Sequence, residues 1–229
     1  MGFLLDWRKF RCAGGEASLL SFYPCLFDKT TSTAIDSHYF YQAIWAFKKI
    51  LASGVSQHVD IGSDVQFVGM LTCVTEVTFV DIRPLELTLS NYIGKKGSIL
   101  ALPFHDKGIS SLSSLHVIEH IGLGRYGDPI DPDGSIKACR ELMRVLAPGG
   151  KLYLSVPIGK TRVQFNGQRV FNVTDVIAMF SDLELLELSV VNTDGTYMEK
   201  VNPDTIRICE EAGLDYGLGM FVFSAERSQ

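Results

Sequence analysis

A run of polar side chains among glycines and prolines is the part of this sequence best suited to do chemistry. It reads "EHIGLGRYGDPIDPDG" over residues 119–134, and its glycines and prolines predict a loop. Imidazole and carboxylate groups can take a proton from a substrate hydroxyl, so His120 and Glu119 are candidate general bases. Arg125 and Tyr126 can hold a sugar or a phosphate. The plainer alternatives are a hydrogen-bonded core histidine and a solvated arginine.

Two arrangements in the same region resemble metal sites. "HVIEH", residues 116–120, fits the inverted zinc-protease motif H-x-x-E-H, which requires both histidines one turn apart on a helix. The strand-like "LSSL" before it and the glycines at 122 and 124 after it leave no room for a stable helix. Asp128 and Asp131 are a second pair of possible ligands, but carboxylates in Asp-Pro turns are commonplace. We therefore predict no metal site.

A second group of candidate residues lies at the ends of two predicted strands. The strand "HVDI" runs into Asp60 and Gly62, which is typical of the start of a nucleotide-binding site. Gly62 lets the backbone turn sharply and approach a ligand. Asp81 stands 21 residues after Asp60, where its carboxylate can accept hydrogen bonds from two ribose hydroxyls. This spacing predicts a cofactor of the adenosine type.

The loop after the first of these strands discriminates among such cofactors. The pyrophosphate of NAD requires a loop of the form G-x-G-x-x-G, whereas this chain offers only Gly62 and Gly69. Asp64 would also repel a phosphate. A cofactor that ends in a cationic sulfonium and an α-amino group tolerates carboxylates at this position. Asp64 is therefore either a contact to such a cofactor or only the cap of the next helix.

The elements that must position these residues alternate between strands and helices. Strands are predicted at 58–62, 77–82, 98–102, 112–118, 151–157, 183–191 and 219–226. Helices are predicted from Asp36 to Gly54 and at 64–73, 134–146, 174–180 and 203–212, with a short helix or loop at 85–92. Residues 1–35 are expected to be an irregular lid or wrapping segment. This alternation predicts a largely parallel, doubly wound sheet, which binds ligands at the carboxyl ends of its strands.

The composition narrows the class of protein. A formal charge of −5 with scattered lysines and arginines argues against a nucleic-acid partner. Five widely spaced cysteines without a CxxC pair favour reduced thiols and no structural zinc. Because no apolar run approaches the roughly 20 residues that cross a bilayer, we predict a cytoplasmic protein without a transmembrane segment. A short basic edge could receive an anionic acceptor such as a nucleotide sugar, but a solvated face is the favoured interpretation; its members are Lys160, Arg162, Asn166 and Arg169.

From residue 58 onward the chain resembles class I S-adenosylmethionine-dependent methyltransferases. The resemblance rests mainly on "LPFHDKGISSLSSLHVIEHIG" (102–122) and "CRELMRVLAPGGKLYLSVP" (139–157). These stretches are similar to the family's LPF segment, its fourth strand with an "EH" ending, and its L-x-PGG turn into the fifth strand. With "YPCLFDK", the 120–134 insert and "RVFNVTDVIAMF", the chain is most similar to an uncharacterised bacterial branch often found among genes for surface polysaccharide.

The resemblance implies a fold and a set of cofactor-binding residues. The fold would be a Rossmann-like, mostly parallel seven-stranded sheet with helices on both faces and an antiparallel last strand. It would form one domain over residues 1–229, with a wrapping segment and helix at 1–53 and the core at 54–229. The expected cofactor is S-adenosylmethionine. Its expected contacts are Asp60 and Gly62 of the "D-x-G" motif, Asp64, the ribose-binding Asp81, and His116 with Val117 beside the methionine part.

The implied activity is methyl transfer to an oxygen of a sugar, glycan or nucleotide-sugar acceptor. His120 or Glu119 would then be the base that faces the acceptor, and Arg125 would help to hold it. Two positions depart from the family pattern: Asp64 replaces the second glycine of G-x-G, and Ser110 replaces the aspartate of "SFD". These departures sustain an alternative, a catalytically degenerate protein of the same fold that acts as a binding partner in polysaccharide biosynthesis.

Overall fold

The computed structural model describes residues 2–206 and 215–226. The chain divides into two compact units, Met1–Ile35 and Asp36–Gln229. The first unit contains a helix, α1 (Gly2–Cys12), and one 3-10 turn (Leu19–Ser21). The expectation that residues 1–35 are irregular throughout is therefore wrong for the first helix.

Aromatic packing explains why the first helix forms. Phe3 and Trp7 lie four residues apart on one helix face, and both rings meet Phe22 edge-on, with centroid distances of 4.9 and 5.2 Å. The indole nitrogen of Trp7 donates a hydrogen bond to the carbonyl oxygen of Ala17 at 3.0 Å. The Gly14-Gly15 pair that suggested irregular chain lies just beyond the helix. This unit thus has a small aromatic centre of its own.

The second unit alternates strands and helices. Its helices are α2 (Ser37–Ser53), α3 (Val65–Leu71), α4 (Gly134–Val145) and α5 (Val173–Met179). Its strands are β1 (Gln57–Ile61), β2 (Glu76–Asp81), β3 (Tyr92–Lys96), β4 (Ile109–Leu115), β5 (Leu146–Ile158), β6 (Arg162–Gln164), β7 (Gln168–Val170), β8 (Leu183–Val191), β9 (Tyr197–Met198) and β10 (Gly217–Ala225).

The strands form the predicted doubly wound sheet. Among the described residues its strand order is β3-β2-β1-β4-β5-β10-β8-β9, and β6 pairs separately with β7. The strands β1 to β5 pair in parallel, whereas β10 runs antiparallel to both β5 and β8. The antiparallel last strand is thus confirmed. The sheet has eight strands rather than seven because the two-residue β9 pairs with the end of β8.

Helices cover both faces of the sheet, as predicted. The helices α4 and α5 bury Leu142 and Val176 in a core on one face. The helices α2 and α3 bury Trp45 and Phe67 in a core on the other. Because both faces of the central strands are buried, β5 and β10 are apolar almost continuously rather than at alternate positions. This rigid centre fixes the ends of β1, β2 and β4.

One strand was predicted in the wrong place. The third strand is Tyr92–Lys96, and it begins at the last residue of the segment 85–92 that was expected to be a short helix or loop. The predicted strand 98–102 forms only a bridge between Ser98 and Ala101. The strand lies at the sheet edge with most of its residues exposed, so it lacks an apolar run. The "SILAL" stretch is apolar because Ile99 and Leu102 are buried in the turn that follows.

The remaining boundaries differ from the predictions by a few residues, apart from the unpredicted hairpin of β6 and β7. Of the predicted helix 203–212, residues 203–206 are helical and the rest lie outside the described residues, as does Cys209. The cysteines at 12, 25, 73 and 139 are free thiols. In the described part of the chain, no helix has the length and apolar character needed to cross a membrane.

Candidate active-site cleft

A cleft lies at the carboxyl ends of β1, β2 and β4. It consists of two adjoining cavities of about 490 and 480 Å³. Six residues line both cavities: Gly62, Asp81, Arg83, His116, His120 and Tyr126. We call this combined space the cleft. Each cavity is of a size typical of small-molecule sites.

Gly62 forms a narrow part of the cleft wall. Its φ of +67° lies in the left-handed region that favours glycine. A Cβ atom at this position would stand 3.3 Å from Cγ1 of Val117 and 3.5 Å from Oδ2 of Asp81. The absence of a side chain therefore leaves room for a ligand between β1, β2 and β4.

Asp81 offers a free carboxylate oxygen beside that space. Its Oδ1 accepts a hydrogen bond from the backbone nitrogen of Arg83 at 2.7 Å, which fixes the carboxylate. None of the described residues donates a hydrogen bond to its Oδ2, and the side chain is 20% exposed. The carboxylate is therefore oriented by the protein with one oxygen ready for a ligand donor.

Asp60 lies behind the cleft rather than in its wall. Its Oδ1 accepts a hydrogen bond from the backbone nitrogen of Ser63 at 3.0 Å, and its Oδ2 accepts one from Ser113 Oγ. His58 continues this buried chain, with its Nε2 at 2.8 Å from Ser113 Oγ. Burial raises the pKa of Asp60 to about 6 and lowers the pKa of His58 to about 3. Asp60 thus shapes the turn that contains Gly62.

Asp64 caps the helix that follows this turn. Its Oδ1 accepts hydrogen bonds from the backbone nitrogens of Gln66 and Phe67 at 2.9 and 3.2 Å. The residue also lines one cavity of the cleft. Of the two roles left open by the sequence, the cap is the one that these contacts supply.

Replacing Asp64 separates the two roles. We expect Asp64→Ala to lower the free energy of unfolding by about 1 kcal/mol because α3 loses its cap. Asp64→Asn retains a capping oxygen without the charge, so its stability should stay near that of the wild type. Urea unfolding measures both effects. A large loss of cofactor affinity in the asparagine variant would instead assign the charge of Asp64 to ligand binding.

Glu119 and His116 form a buried pair at the end of β4. His116 Nδ1 lies 2.6 Å from Glu119 Oε1, and the Glu119 side chain is completely buried. His116 has a φ of +57°, a strained value for a residue with a side chain. Its ring stacks against His38 and Tyr39, with centroid distances of 5.9 and 5.2 Å. His116 is therefore held by a carboxylate and by the start of α2.

His120 and Arg125 share a backbone oxygen on the β6–β7 turn. His120 Nδ1 lies 2.7 Å from the carbonyl oxygen of Gly167, so this nitrogen carries a proton and donates. Arg125 Nη1 donates to the same oxygen at 3.2 Å and lies 3.3 Å from His120 Nδ1. Burial lowers the pKa of His120. The imidazole is thus neutral at neutral pH, beside a cation.

The ring of Tyr126, which lines the cleft, lies against two arginines. The guanidinium groups of Arg83 and Arg125 lie 4.6 and 5.0 Å from the centre of its ring. The His120 ring meets the same tyrosine edge-on at 5.7 Å. Positive charge and an aromatic ring therefore meet at the mouth of the cleft.

The acidic residues of the 119–134 loop stabilise the loop itself. Asp128 Oδ2 accepts a hydrogen bond from the backbone nitrogen of Gly122 at 2.6 Å, and Asp131 pairs with Lys137 at 2.6 Å. The segment before them forms a single 3-10 turn, Ile118–His120, rather than the α-helix that a zinc protease requires. The aspartates of this loop thus act on the backbone and on a surface lysine.

Arg169 holds the same loop from beneath, and sequence reasoning missed this role. The residue is only 8% exposed, so it does not belong to a solvated basic edge. It donates hydrogen bonds to four carbonyl oxygens, which belong to Glu119, Ile121, Asp131 and Pro132. The pattern of residues around 169 carries no local signal for this contact, because its partners lie at least 37 residues away.

Loss of this arginine should loosen the loop. We expect Arg169→Gln to reduce the free energy of unfolding by about 2 kcal/mol, because buried carbonyl oxygens lose their donors. The matched control is Arg140→Gln, an exposed position where the change should stay within about 0.5 kcal/mol. Urea unfolding of both variants measures the difference. Equal stability of the two variants would show that the carbonyl contacts of Arg169 contribute little.

His38 and Tyr39 were also absent from the sequence prediction. Both lie at the start of α2, where Asp36 accepts hydrogen bonds from their backbone nitrogens. Tyr39 lines the cleft, and His38 stacks on Tyr216 at 5.1 Å as well as on His116. Burial lowers the pKa of His38 to about 4. The cap at Asp36 is visible in the sequence, but the approach of this helix end to β4 is not.

Comparison with protein families gives one partial match. Residues 104–202, less than half of the chain, match a family described as Caenorhabditis protein of unknown function, DUF268. No curated protein matches the chain.

Comparison with solved structures gives matches over nearly the whole chain. The [4+2]-cyclase SpnF has 13% identity and a TM-score of 0.61, with 98% of this chain and 94% of that chain covered. A candidate sarcosine dimethylglycine methyltransferase from Galdieria sulphuraria has 16% identity and a TM-score of 0.60, with 96% and 98% covered. The N-methyltransferase NodS from Bradyrhizobium japonicum, in complex with S-adenosylhomocysteine, has 16% identity and a TM-score of 0.54, with 88% and 91% covered. The chain therefore has the Rossmann-like fold of S-adenosylmethionine-dependent methyltransferases.

Proposed function

We propose that this protein is an S-adenosylmethionine-dependent methyltransferase that methylates an oxygen of a sugar, glycan or nucleotide sugar. The observation that carries the proposal is the pairing of Gly62 with Asp81 at the carboxyl ends of β1 and β2. A side chain at Gly62 would fill the space beside the free Oδ2 of Asp81. The fold supports the same conclusion, because similar structures include methyltransferases.

The residues of the cleft fit the chemical groups of this cofactor. Asp81 would accept hydrogen bonds from the ribose hydroxyls, and the Gly62 turn would lie against the methionine part. Apolar side chains for the adenine ring are Ile82 and Ile99, which line the same cavity. The bound cofactor supplies an electrophilic methyl group on a sulfonium. S-adenosylmethionine contains no phosphate, so its binding does not require the additional glycines by which a dinucleotide loop approaches a pyrophosphate.

We take the part of the cleft lined by His120, Tyr126 and Arg83 as the acceptor side, and Arg125 packs against Tyr126 there. The polar character of these side chains supports an acceptor rich in hydroxyls. The positive charge of the two arginines suits the phosphates of a nucleotide sugar. Such an acceptor is also the one that the sequence resemblance implies.

The two departures from the family pattern have structural explanations that leave the cleft intact. Asp64 caps α3. Ser110 is exposed near the amino end of β4, roughly 16 Å along the strand from its carboxyl end. Neither departure therefore favours the catalytically degenerate alternative.

Ultraviolet cross-linking of S-adenosylmethionine tritiated in its methyl group tests the location of the site. We expect label in the tryptic peptides 50–95, 108–125 or 126–137, which contain cleft residues. An excess of S-adenosylhomocysteine should abolish labelling, whereas NAD should not. Label confined to other peptides, or competition by NAD alone, would contradict the proposal. Product analysis with a panel of nucleotide sugars should then detect an O-methylated sugar.

A further inference from the structure

We infer that His116, held by Glu119, is the general base that takes the proton from the acceptor hydroxyl. This inference rests on the proposed function and assigns the base to a residue that the sequence placed among the cofactor contacts. His116 thus takes the place of His120 and Glu119 as the residue that directly accepts the proton. Glu119 becomes a positioning residue.

The hydrogen bonding of His116 defines its tautomer. An ionised carboxylate only accepts, so at 2.6 Å from Glu119 Oε1 the Nδ1 atom of His116 donates. The lone pair of the neutral ring then lies on Nε2. This arrangement of carboxylate and imidazole is the one that orients a histidine base in the Ser-His-Asp triad.

The Nε2 atom is buried and has no partner within the described residues. The His116 side chain is 6% exposed, and neither its Nε2 nor Oε2 of Glu119 makes a hydrogen bond with the described groups. Buried polar atoms without a partner are rare, and each calls for a reason. His116 lines both cavities of the cleft, and its Nε2 lies on the other side of the ring from Glu119. An acceptor hydroxyl in the cleft would supply the missing partner.

The backbone and the neighbouring rings fix the imidazole in place. The left-handed φ of His116 is strained for a residue with a side chain, and such strain concentrates at functional sites. The rings of His38 and Tyr39 stand within 15° and 25° of parallel to the imidazole. Parallel neighbours contact the faces of a ring rather than its edge. Neither ring therefore hydrogen-bonds to the buried Nε2, which has no partner among the described residues.

His120 is less suited to receive the proton. The Arg125 guanidinium lies 3.3 Å from its Nδ1, and a neighbouring positive charge opposes formation of an imidazolium. The distance from His120 Nε2 to Glu119 Oε1 is 3.8 Å, which is longer than a hydrogen bond. Glu119 therefore stabilises a positive charge on His116 more directly than on His120.

The proton and electron pairs balance in the resulting step. The acceptor oxygen forms a bond to the transferred methyl carbon, whose bond to sulfur breaks with its electron pair remaining on sulfur. His116 Nε2 takes the hydroxyl proton, and the imidazolium is balanced by the Glu119 carboxylate. The proton then passes to water, which restores the neutral ring.

Nitrogen-detected histidine NMR tests the tautomer without any acceptor. At neutral pH we expect a proton on Nδ1 of His116 and none on Nε2, with the Nδ1 proton at low field. Glu119→Ala should abolish that low-field resonance, while the exposed His105→Gln should leave it unchanged. A proton on Nε2 of His116 in the wild type would overturn the inference.

Binding and turnover of variants test the role itself. His116→Gln should keep the affinity for S-adenosylhomocysteine within about threefold and should lower kcat by about 10² to 10⁴ on a nucleotide sugar that the wild type methylates. Glu119→Gln should also lower kcat, and His105→Gln should not. Near wild-type kcat in His116→Gln, with a large loss in His120→Gln, would overturn the assignment. Where the wild type methylates no member of the panel, the tautomer alone decides. Absence of S-adenosylhomocysteine binding to the wild type would contradict the proposed function separately.

Discussion

Replacement of Asp81 by alanine should weaken S-adenosylhomocysteine binding by at least about 100-fold, equivalent to about 2.7 kcal/mol. The carboxylate is fixed by the backbone of Arg83, and its Oδ2 is free of bonds to the described residues. Hydrogen bonds to a charged group contribute about 1.5 to 3 kcal/mol each, and a ribose offers two hydroxyl donors. Isothermal titration calorimetry measures the affinity.

The other variants in this experiment show whether the effect is local. Asp81→Asn retains one accepting oxygen without the charge, so its affinity should lie between those of the wild type and the alanine variant. Asp182→Ala removes an exposed aspartate just before β8 and should bind as the wild type does. Unchanged affinity in Asp81→Ala would remove the ribose contact from the account.

Asp60 should make the stability of the protein depend on pH. Burial raises its folded-state pKa from 3.8 to about 6, so the folded state binds this proton more tightly than the unfolded state does. The corresponding stabilisation is complete below about pH 4 and is lost as the pH rises through about 6. Asp60→Asn removes the titration while an amide can still accept from Ser63 and donate to Ser113. Relative to the wild type, the variant should gain about 2 to 3 kcal/mol of stability between about pH 4 and pH 7.

Urea unfolding at several pH values measures this difference. His58 adds little to it, because its lowered pKa of about 3 keeps it neutral over the range. Asp182→Asn, at an exposed position, should show a stability difference from the wild type that hardly varies with pH. A constant difference between Asp60→Asn and the wild type would mean that Asp60 is already ionised in the folded protein at low pH.

Features that depend on neighbouring residues were predictable from the sequence. Asp60, Gly62 and Asp81 lie at or next to the carboxyl ends of β1 and β2, and the fold class follows from alternating strands and helices. The doubly wound sheet and its antiparallel last strand are confirmed. The edge strand at 92–96 was missed because an exposed strand has no need of apolar residues.

Features that depend on distant contacts were not predictable in this way. The hydrogen bonds of Arg169 join the β6–β7 hairpin to the 119–134 loop, whose bonded residues lie 37 or more positions earlier in the chain. The stacking of His38 on His116 joins the start of α2 to the end of β4. Asp64 illustrates an intermediate case, because its residue type suits both a cap and a ligand. The hydrogen bonds to Gln66 and Phe67 supply the cap.

Calorimetric titration of S-adenosylhomocysteine into the wild-type protein, with NAD in a parallel titration, tests the proposed cofactor site most directly. The cleft around Gly62 and Asp81 predicts saturable heat with one site per chain for S-adenosylhomocysteine and none for NAD. Absence of heat at high S-adenosylhomocysteine concentration would contradict the proposed methyltransferase and favour a degenerate binding partner. Tight binding of NAD alone would assign the cleft to a different cofactor.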